Sequence, residues 1–347
     1  MQRRIVQVGV APSGIGLDWL RVIAEALDWT LAGIVDTEPA HLRDTAARVG
    51  LPAECCFASI GEAAAALDFD ACVLVAPSPL HGALCGQALD AGKHIIVEKP
   101  FTVDFEEARA LAARAERAGR YLIVDQNYRY MTEIGTLRRA IRDRVVGAPT
   151  FAQVTFDCLW PGRPYQWAMA DTMLLEMAIH HFDALRYVLA AEPRTASGQT
   201  WRPPWTVYQG DTVVSCRFDF DDGTRVAYHG SLESPGRSTP WPGVWRVECA
   251  EGALHLADLG AGYGVYLSRA PDTVERIAPI ANDGWGQGSS LLGTLGALSA
   301  ALDEGQRPQS DARDNLRTLA MALAAARSSR DGRTVDLARD FDCWESS

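Results

Sequence analysis

Hydrophobic and polar positions alternate along the first 125 residues in a repeating strand–helix rhythm. Short runs rich in Val, Ile and Leu predict buried strands, and the Ala-, Leu- and Arg-rich stretches between them carry apolar residues at helical spacing. Because strands that alternate with helices form parallel sheets covered on both faces, the pattern predicts a Rossmann-type, doubly wound α/β domain over 1–125. The predicted strands lie in RRIVQVGV, TLAGIVD, ACVLVAP, HIIVEKP and YLIVDQN.

The rhythm changes beyond this first domain. Helices are predicted near 131–143 and 172–190, and longer strand-like runs follow, two of them joined by the Asp-Gly turn in DDGT. This pattern predicts a second, α+β domain over 126–347, with an open, mostly antiparallel sheet and closing helices at about 288–328. The predicted strands lie in TVVSCRFDF, RVAYHGSLES, VWRVECA, GALHLAD and GVYLSRA.

Charge and composition exclude several classes of partner. The 347 residues include 33 Lys and Arg against 44 Asp and Glu, a net charge of −11. We therefore do not expect the basic surface by which proteins bind nucleic acids or anionic membranes. No apolar run approaches the about 20 residues of a membrane span, and the N-terminus lacks the apolar region of a signal peptide. Eight cysteines without a CxxC pair are typical of free thiols in a reducing compartment. We therefore expect a cytoplasmic protein with a small-molecule partner.

A glycine-containing turn, VGVAPSGIG, follows the first strand. Such a turn lets backbone N–H groups approach a pyrophosphate, but Ala11 stands where the dinucleotide fingerprint has its second glycine, so a plain strand–helix turn remains an alternative. Asp36 ends the second strand, where a carboxylate binds an adenosine ribose and repels a 2′-phosphate. This favours NAD over NADP. The candidate cofactor-binding residues here are Gly9, Ala11, Ser13, Gly14 and Asp36.

The stretch LLEMAIHHFDALRYV (174–188) has an apolar helical stripe beside a polar line. At about 100° per residue, Glu176, His180 and Asp183 fall on one side of an α-helix, whereas His181 points elsewhere. The polar line alone is typical of a solvated helix face, and a substrate-facing wall is the alternative. A zinc site would need both histidines to converge, so we expect no metal.

Three further stretches carry a family resemblance. VAPSPLH (75–81), AGKHIIVEKPFTVDFEEARAL (91–111) and NYRY (127–130) stand in the order and at the separations of the glucose–fructose oxidoreductase / inositol dehydrogenase (Gfo/Idh/MocA) family. The resemblance covers essentially the whole chain. It implies an NAD(P)-dependent dehydrogenase or reductase of sugars, cyclitols or related polyols. It also implies a homodimer or homotetramer formed through the sheet of the second domain.

The resemblance also implies roles for residues of the first domain. Pro77, Ser78 and His81 would lie along the cofactor cleft, and Glu98 would help to hold the nicotinamide half. Lys99 would reach the reacting hydroxyl or carbonyl group. An ion pair between Lys99 and Glu98 at a strand end is the structural alternative.

In the second domain, LLEMAIHHFDALRYV is similar to the family pattern Asp-x-Gly-x-His-x-x-Asp. The resemblance makes His180 the catalytic histidine, and Glu176 replaces the usual substrate-contacting aspartate. Asn127 and Arg129 would lie at the cleft. An imidazole suits proton transfer near neutral pH, and an ammonium group stabilises a developing alkoxide. We hypothesise that His180 is the acid/base and Lys99 its electrostatic partner.

The segment LWPGRPYQW (159–167) precedes this helix and is rich in aromatic residues. Trp faces pack against the C–H surfaces of sugars, and an Arg side chain can bind a carboxylate. Trp160, Arg163 and Trp167 are therefore candidate substrate contacts, although Trp packs equally well in cores and subunit contacts. Two other functions stay open: a redox-neutral, NAD-dependent glycosidase and a non-catalytic regulator that binds NAD or a sugar.

Overall fold

The computed structural model describes residues 2–12, 14–280 and 290–341. The chain forms two compact units, the first comprising Met1–Asn127 and Gly284–Leu316, the second Tyr128–Asp283 and Arg317–Ser347. Across the described ranges, every helix is too short or too polar to cross a membrane.

The sheet of the first unit has six strands in the order of a doubly wound nucleotide-binding fold. Along the sheet the order is β3-β2-β1-β4-β5-β6, and each neighbouring pair is parallel. The order reverses between β1 and β4, which is where such folds bind ligands. Five of these strands were predicted; β3, with only two residues, is too short to show a pattern. The strands are β1 (Arg3–Val8), β2 (Trp29–Val35), β3 (Cys56–Phe57), β4 (Ala71–Leu74), β5 (His94–Val97) and β6 (Leu122–Val124).

Helices connect these strands, and their ends follow from local sequence. Asp104 caps the helix before β6 by accepting the N–H of Glu107, and Gly50 ends the helix after β2 in the left-handed conformation. Apolar side chains of the first helix, including Trp19, pack on the sheet against Trp29 and Ile96. The helices are α1 (Ile15–Glu25), α2 (Pro39–Val49), α3 (Ile60–Ala66), α4 (His81–Asp90) and α5 (Phe105–Arg117).

The second unit is built on a mixed, mostly antiparallel sheet, as predicted. Its order is β14-β13-β12-β11-β7-β10-β9-β8-β15. Among the strands of the described residues in this sheet, only β7 and β10 run parallel. The predicted DDGT hairpin joins β9 to β10 with Gly223 at a φ of 88°. The strands are β7 (Pro149–Asp157), β8 (Pro193–Trp201), β9 (Val213–Phe220), β10 (Arg225–Ser231), β11 (Val244–Cys249), β12 (Gly252–Asp258), β13 (Tyr263–Ser268), β14 (Glu275–Arg276) and β15 (Val335–Asp336).

The remaining helices are α6 (Thr132–Arg142), α7 (Pro164–Trp167), α8 (Ile179–Leu189), α9 (Ser290–Glu304), α10 (Ala312–Asp331) and α11 (Leu337–Asp340). The prediction placed both closing helices in the second domain, but α9 belongs to the first unit. Leu291, Leu295 and Leu298 lie in the core cluster that contains Trp19 and Trp29, and Ser299 accepts the indole N–H of Trp29 at 2.8 Å. The sequence pattern did not show that the chain goes back to the first unit after completing most of the second.

Candidate active site

The turn between β1 and α1 brings the backbone close to the switch point of the sheet. Gly9 and Gly14 have φ angles of 88° and 95°, and a Cβ on Gly9 would lie 2.2 Å from the carbonyl oxygen of Val75. The side-chain amide of Gln7 donates to the carbonyl oxygen of Gly16 at 2.8 Å. Position 9 therefore requires glycine, both for its backbone conformation and for space.

The N-terminus of α1 is open to an anion. The helix begins at Ile15, and no side chain in the described part of the chain caps its first N–H groups. Free N–H groups and the helix dipole attract phosphate at such a terminus. Ala11 is half-buried in the turn, and Ser13 lies outside the described residues. This cradle fits the pyrophosphate of a dinucleotide.

Asp36 follows β2 directly, and its carboxylate joins two chain segments. Oδ2 accepts the N–H of Val10 and Oδ1 accepts the N–H of Glu38, both at 2.9 Å. The Nδ1 atom of His41 lies 3.3 Å from Oδ1. A carboxylate offers about four lone-pair sites, so capacity remains for ribose hydroxyl groups. The position and the remaining acceptor capacity fit the predicted cofactor contact.

The loop after β4 contains the next three predicted cofactor-binding residues. Pro77 is exposed, Ser78 is buried in a short 3₁₀ turn, and His81 is fully buried at the start of α4. The two ring nitrogens of His81 each lie 2.7 Å from a carbonyl oxygen, that of Pro100 and that of Ala76. A neutral imidazole has one N–H group, so the ring donates to one of these two carbonyl oxygens. It thereby joins the loop after β4 to the segment after β5.

Glu98 and Lys99 follow β5 at the same edge of the sheet. Glu98 is buried, and its Oε1 accepts the indole N–H of Trp19 at 3.0 Å. The backbone N–H of Asp125 donates to the carbonyl oxygen of Val97, the residue before Glu98, at 2.8 Å. Lys99 is half-buried and is joined to Pro100 by a cis peptide bond. A cationic residue thus stands beside two buried acidic side chains.

Asp125 was not among the predicted site residues. It follows β6, is fully buried, and accepts the hydroxyl of Thr294 at 2.5 Å. Burial and the charge of Glu98 raise the pKa of Asp125 well above its usual value. The signal that could have found it is the one that identified Asp36, an acidic residue directly after a buried parallel strand.

The helix expected at 172–190 is not a regular α-helix. Met173–Ala178 forms a π-helix, in which the N–H of Ile179 bonds to the carbonyl oxygen of Leu174, and α8 begins only at Ile179. The wider turn invalidates the α-helical angles from which Glu176 and His180 were placed on one face. Such π segments often occur at functional sites.

The solvated-face interpretation of this helix is wrong, because both histidines are buried. The His180 ring stacks on Tyr128 with 4.5 Å between centroids and 12° between planes. His181 Nδ1 lies 2.8 Å from the Tyr228 hydroxyl, and Nε2 lies 2.9 Å from the carbonyl oxygen of Trp241. Burial lowers the pKa of His181 to about 4, so its neutral ring has a structural role.

Glu176 is held by a residue that the sequence analysis missed. Gln166, which is buried in α7, donates its side-chain amide to Glu176 Oε2 at 3.0 Å. Thr172 ties this segment together by donating its hydroxyl to the carbonyl oxygen of Gln166. Glu176 itself remains partly accessible. The carboxylate is therefore oriented and still able to accept hydrogen bonds from a ligand.

Trp160 and Trp167 flank the loop that leads into α7, and each is more than one third exposed. The Trp167 indole donates to the carbonyl oxygen of Pro161. A Cβ at Gly162 would lie 2.2 Å from the Tyr208 hydroxyl, so glycine is needed for the loop to lie against that ring. The two indoles remain candidates for packing against a substrate. Arg163 directly precedes α7 and stays a candidate as well.

Arg129 has a different partner from the one expected. Its Nε and Nη2 donate to the two carboxylate oxygens of Asp183 at 2.6 and 2.7 Å, and both side chains are buried. Thr318 adds a third donor to Asp183 at 2.9 Å. Two guanidinium donors are thus committed to the ion pair with Asp183, and a substrate contact of Arg129 stays a prediction. Asn127 Oδ1 is buried and has no hydrogen-bond partner among the described residues.

The predicted catalytic pair is divided between the units: Lys99 belongs to the first and His180 to the second. Within residues 2–12, 14–280 and 290–341, no three His, Cys, Asp or Glu side chains are grouped so that they could hold a metal ion.

Two family models match the chain. The oxidoreductase family with an NAD-binding Rossmann fold matches residues 3–126, and the Gfo/Idh/MocA C-terminal domain matches residues 134–255. Together the two matches cover most of both units.

Individual relatives agree with the family models. The D-apiose dehydrogenase of Paraburkholderia graminis is 30% identical, covering 78% of this chain and 73% of that protein. The scyllo-inositol 2-dehydrogenase (NAD(+)) of Bacillus subtilis is 26% identical, covering 77% and 78%. An oxidoreductase from Agrobacterium radiobacter, crystallised with NAD+, L-tartaric acid and magnesium, shares the fold with a TM-score of 0.87 at 21% identity, covering 98% of this chain and 100% of the other. The chain belongs to the Gfo/Idh/MocA family of NAD-binding oxidoreductases.

Proposed function

We propose that the protein is an NAD-dependent dehydrogenase or reductase that transfers a hydride between nicotinamide and a secondary alcohol or carbonyl group. The substrate is a sugar, cyclitol or related polyol. The observation that carries the proposal is the edge of the parallel sheet in the first unit. There, the glycine-containing turn, the carboxylate of Asp36 and the Glu98–Lys99 pair all follow the carboxyl ends of strands.

The first unit holds the cofactor in this proposal. The backbone of the turn from Gly9 to Gly14 and the N-terminus of α1 bind the pyrophosphate. Asp36 accepts the ribose hydroxyl groups, and its negative charge favours NAD over NADP. Pro77, Ser78 and His81 shape the neighbouring loop, and Glu98 holds the nicotinamide half. When bound, NAD would supply the acceptor for the hydride of the carbinol carbon.

Lys99 and His180 divide the remaining chemistry. During oxidation the C–H bond breaks with its electron pair leaving as hydride, a C=O bond forms, and the hydroxyl proton goes to a ring nitrogen of His180. The Lys99 ammonium donates to the same oxygen and stabilises the negative charge that develops there. Reduction runs through the same steps in reverse. Stacking on Tyr128 fixes the plane of the imidazole.

The remaining contacts select a polyhydroxylated substrate. Glu176, oriented by Gln166, accepts hydrogen bonds from substrate hydroxyl groups. Trp160 and Trp167 pack against sugar C–H surfaces, and Asn127 offers an additional acceptor. As predicted from the sequence, we also propose that the protein works in a reducing cytoplasm, as a homodimer or homotetramer formed through the exposed face of the second sheet.

A substrate panel tests the proposal. Purified protein is incubated with NAD+ and with sugars, cyclitols and linear polyols, and NADH formation is followed by absorbance at fixed protein concentration. The proposal predicts NADH in proportion to oxidised substrate for at least one compound class, with lower turnover when NADP+ replaces NAD+.

The same experiment separates the other functions. Cleavage of a glycoside without net NADH would identify the redox-neutral glycosidase. Tight NAD binding without turnover over the whole panel, in both directions, would favour a regulator. Either result contradicts the proposed dehydrogenase.

A further inference from the structure

A buried glutamine in β1 lies behind the turn to which the proposed function assigns the pyrophosphate. Gln7 is fully buried, and Val6 and Val8 on either side of it are apolar and buried. The strand lies at the centre of the parallel sheet, where strands are buried on both faces and are usually apolar throughout. The amide at position 7 breaks this pattern, so it needs polar partners within the core.

The side-chain amide of Gln7 bonds to both ends of the turn. Nε2 donates to the carbonyl oxygen of Gly9 at 3.2 Å and to that of Gly16 at 2.8 Å. Because a carbonyl oxygen accepts and an amide NH2 group has two donors, the two bonds require the nitrogen, and not the oxygen, on this side. One buried side chain therefore links the start of the turn to the first turn of α1.

The bond to Gly9 extends to the carboxylate after β2. In the peptide group between Gly9 and Val10, the carbonyl oxygen accepts from Gln7 and the N–H donates to Asp36 Oδ2 at 2.9 Å. The next carbonyl oxygen, that of Val10, accepts the hydroxyl of the buried Thr45 at 3.1 Å. The Gly9–Val10 peptide group therefore cannot rotate without losing a bond to Gln7 or to Asp36.

The bond to Gly16 fixes the other end of the turn in the same way. In the peptide group between Gly16 and Leu17, the carbonyl oxygen accepts from Gln7 and the N–H donates to the carbonyl oxygen of Gly14 at 3.0 Å. Backbone groups that are fixed before a ligand arrives bind it without the cost of ordering them. Gln7 thus holds both ends of the turn in place.

The remaining amide atom is unfavourable for the folded state. Gln7 Oε1 is buried and has no hydrogen-bond partner among the described residues. A buried acceptor without a partner costs free energy that an apolar side chain of the same length would not cost. Packing of the strand therefore does not explain a glutamine at this position, whereas the two bonds to the turn do.

We propose that Gln7 is a positioning residue for the cofactor: it preorganises the turn for a dinucleotide pyrophosphate and, through the Gly9–Val10 peptide group, Asp36 for the ribose. The inference rests on the proposed binding of NAD by this turn. Its tests need no substrate, so a protein that binds NAD+ without turnover would contradict the dehydrogenase and not this inference. A wild type that does not bind NAD+ would overturn both.

The first test measures NAD+ binding to the full-length protein by titration calorimetry without substrate. Gln7→Met keeps the length of the side chain and removes both donors, and Gln87→Met, at an exposed position of α4, is the control. We expect the dissociation constant for NAD+ to rise about tenfold in Gln7→Met, the effect of one or two lost hydrogen bonds, and to stay within about twofold in the control. Without NAD+, the thermal unfolding midpoint of Gln7→Met should equal or exceed that of the wild type. Wild-type NAD+ affinity in folded Gln7→Met would overturn the proposal.

The second test measures the turn itself, in the protein without NAD+. Hydrogen exchange followed by mass spectrometry should be at least about threefold faster in Gln7→Met for the segment that contains Val10 and Leu17, because both peptide groups lose a bond. If Gln7→Met does not fold, Gln7→Asn decides, because its side chain is one methylene group too short to reach both carbonyl oxygens. Wild-type exchange in this segment, or wild-type NAD+ affinity in Gln7→Asn, would contradict the positioning role.

The third test asks whether Gln7 acts through Asp36. Because one peptide group joins the two side chains, the losses of NAD+ affinity in Gln7→Met and Asp36→Asn should not be independent. The double variant should bind NAD+ at least about threefold more tightly than the product of the two single losses predicts. Losses that simply multiply would show that the two residues act separately, and would overturn the link from Gln7 to the ribose-binding carboxylate.

Discussion

Two buried aspartates, one near each proposed catalytic residue, are accommodated in opposite ways. Asp183, one turn after His180, faces the guanidinium group of Arg129 and forms a bidentate ion pair. Asp125, whose backbone N–H bonds to the residue before Glu98, has another acid as its nearest charge partner, because the charge of Glu98 raises its pKa. An acid beside a base stays ionised and fixes the chain over a wide pH range, whereas an acid beside an acid must keep a proton. Burial alone therefore does not tell what a buried carboxyl group does; its partner decides.

The largest effects should come from the two reactive residues themselves. Lys99→Met and His180→Ala should each lower kcat by a factor of about 10²–10⁴, because each removes a group that stabilises charge or moves a proton in the transition state. Calorimetry should show Lys99→Met close to wild type and a lower midpoint for His180→Ala, which removes a buried ring stacked on Tyr128, so turnover is compared well below both unfolding midpoints. His229→Ala, at a half-exposed position on β10, is the control and should keep its turnover. Near-normal turnover in both variants would show that the two regions do not serve one reaction.

The next largest effect concerns the ion pair in the second unit. Asp183→Asn should lower the free energy of unfolding by about 3–5 kcal/mol, because it leaves the buried charge of Arg129 without a counter-ion. Asp219→Asn, which breaks a surface pair with Arg217, should cost about 1 kcal/mol or less. Denaturant unfolding of both variants measures the difference. Equal losses would remove the contrast between this acid and Asp125.

A smaller effect, on substrate binding, is expected from the amide of Gln166 that orients the carboxylate of Glu176. Gln166→Leu should raise KM for the active polyol by about tenfold with less change in kcat, because Glu176 loses the donor that orients it. Gln153→Leu, on an exposed position of β7, is the matched control. Steady-state kinetics with the substrate from the panel would decide. An unchanged KM in Gln166→Leu would separate Glu176 from substrate binding.

The smallest change is expected at His181, whose ring should not titrate near neutral pH. Burial lowers the pKa of His181 to about 4, so its ring should stay neutral from pH 8 to pH 5 and its NMR shifts should be constant there. The sign for stability is opposite to that of Asp125: a lowered folded pKa means that stability is lost as pH falls from about 6.5 towards 4. A titration midpoint of His181 above pH 6 would contradict its neutral, structural role.

The first unit was largely readable from the sequence. Parallel strands that are buried on both faces give continuous apolar runs, and functional residues follow their carboxyl ends. Gly9, Asp36 and Lys99 all obey this rule. The same rule would also have identified Asp125, but no sequence pattern could show that its partner is Glu98. The contribution of α9 to this unit depends on a long-range return of the chain.

The second unit was harder to predict because its key features are departures from regular periodicity. The π-helix at Met173–Ala178 shifts Glu176 away from the α-helical angles. The helix that contains His180 is buried on its polar side as well as on its apolar side, and the sequence pattern indicated only the apolar side. In β7 the buried residues Ala152, Val154 and Phe156 alternate with more exposed ones, which is typical of a strand. The sequence analysis did not predict this strand, which begins at a proline. The Arg129–Asp183 pair joins residues 54 positions apart.

The most direct test of the central claim is the fate of the hydride. The protein is incubated with NAD+ and with panel polyols that carry deuterium on every carbinol carbon, and the reduced cofactor is analysed by mass spectrometry. The account predicts one deuterium in each reduced cofactor molecule, and a rate of transfer at least about a hundredfold lower in both Lys99→Met and His180→Ala. A reduced cofactor without deuterium, or unchanged transfer in both variants, would contradict it.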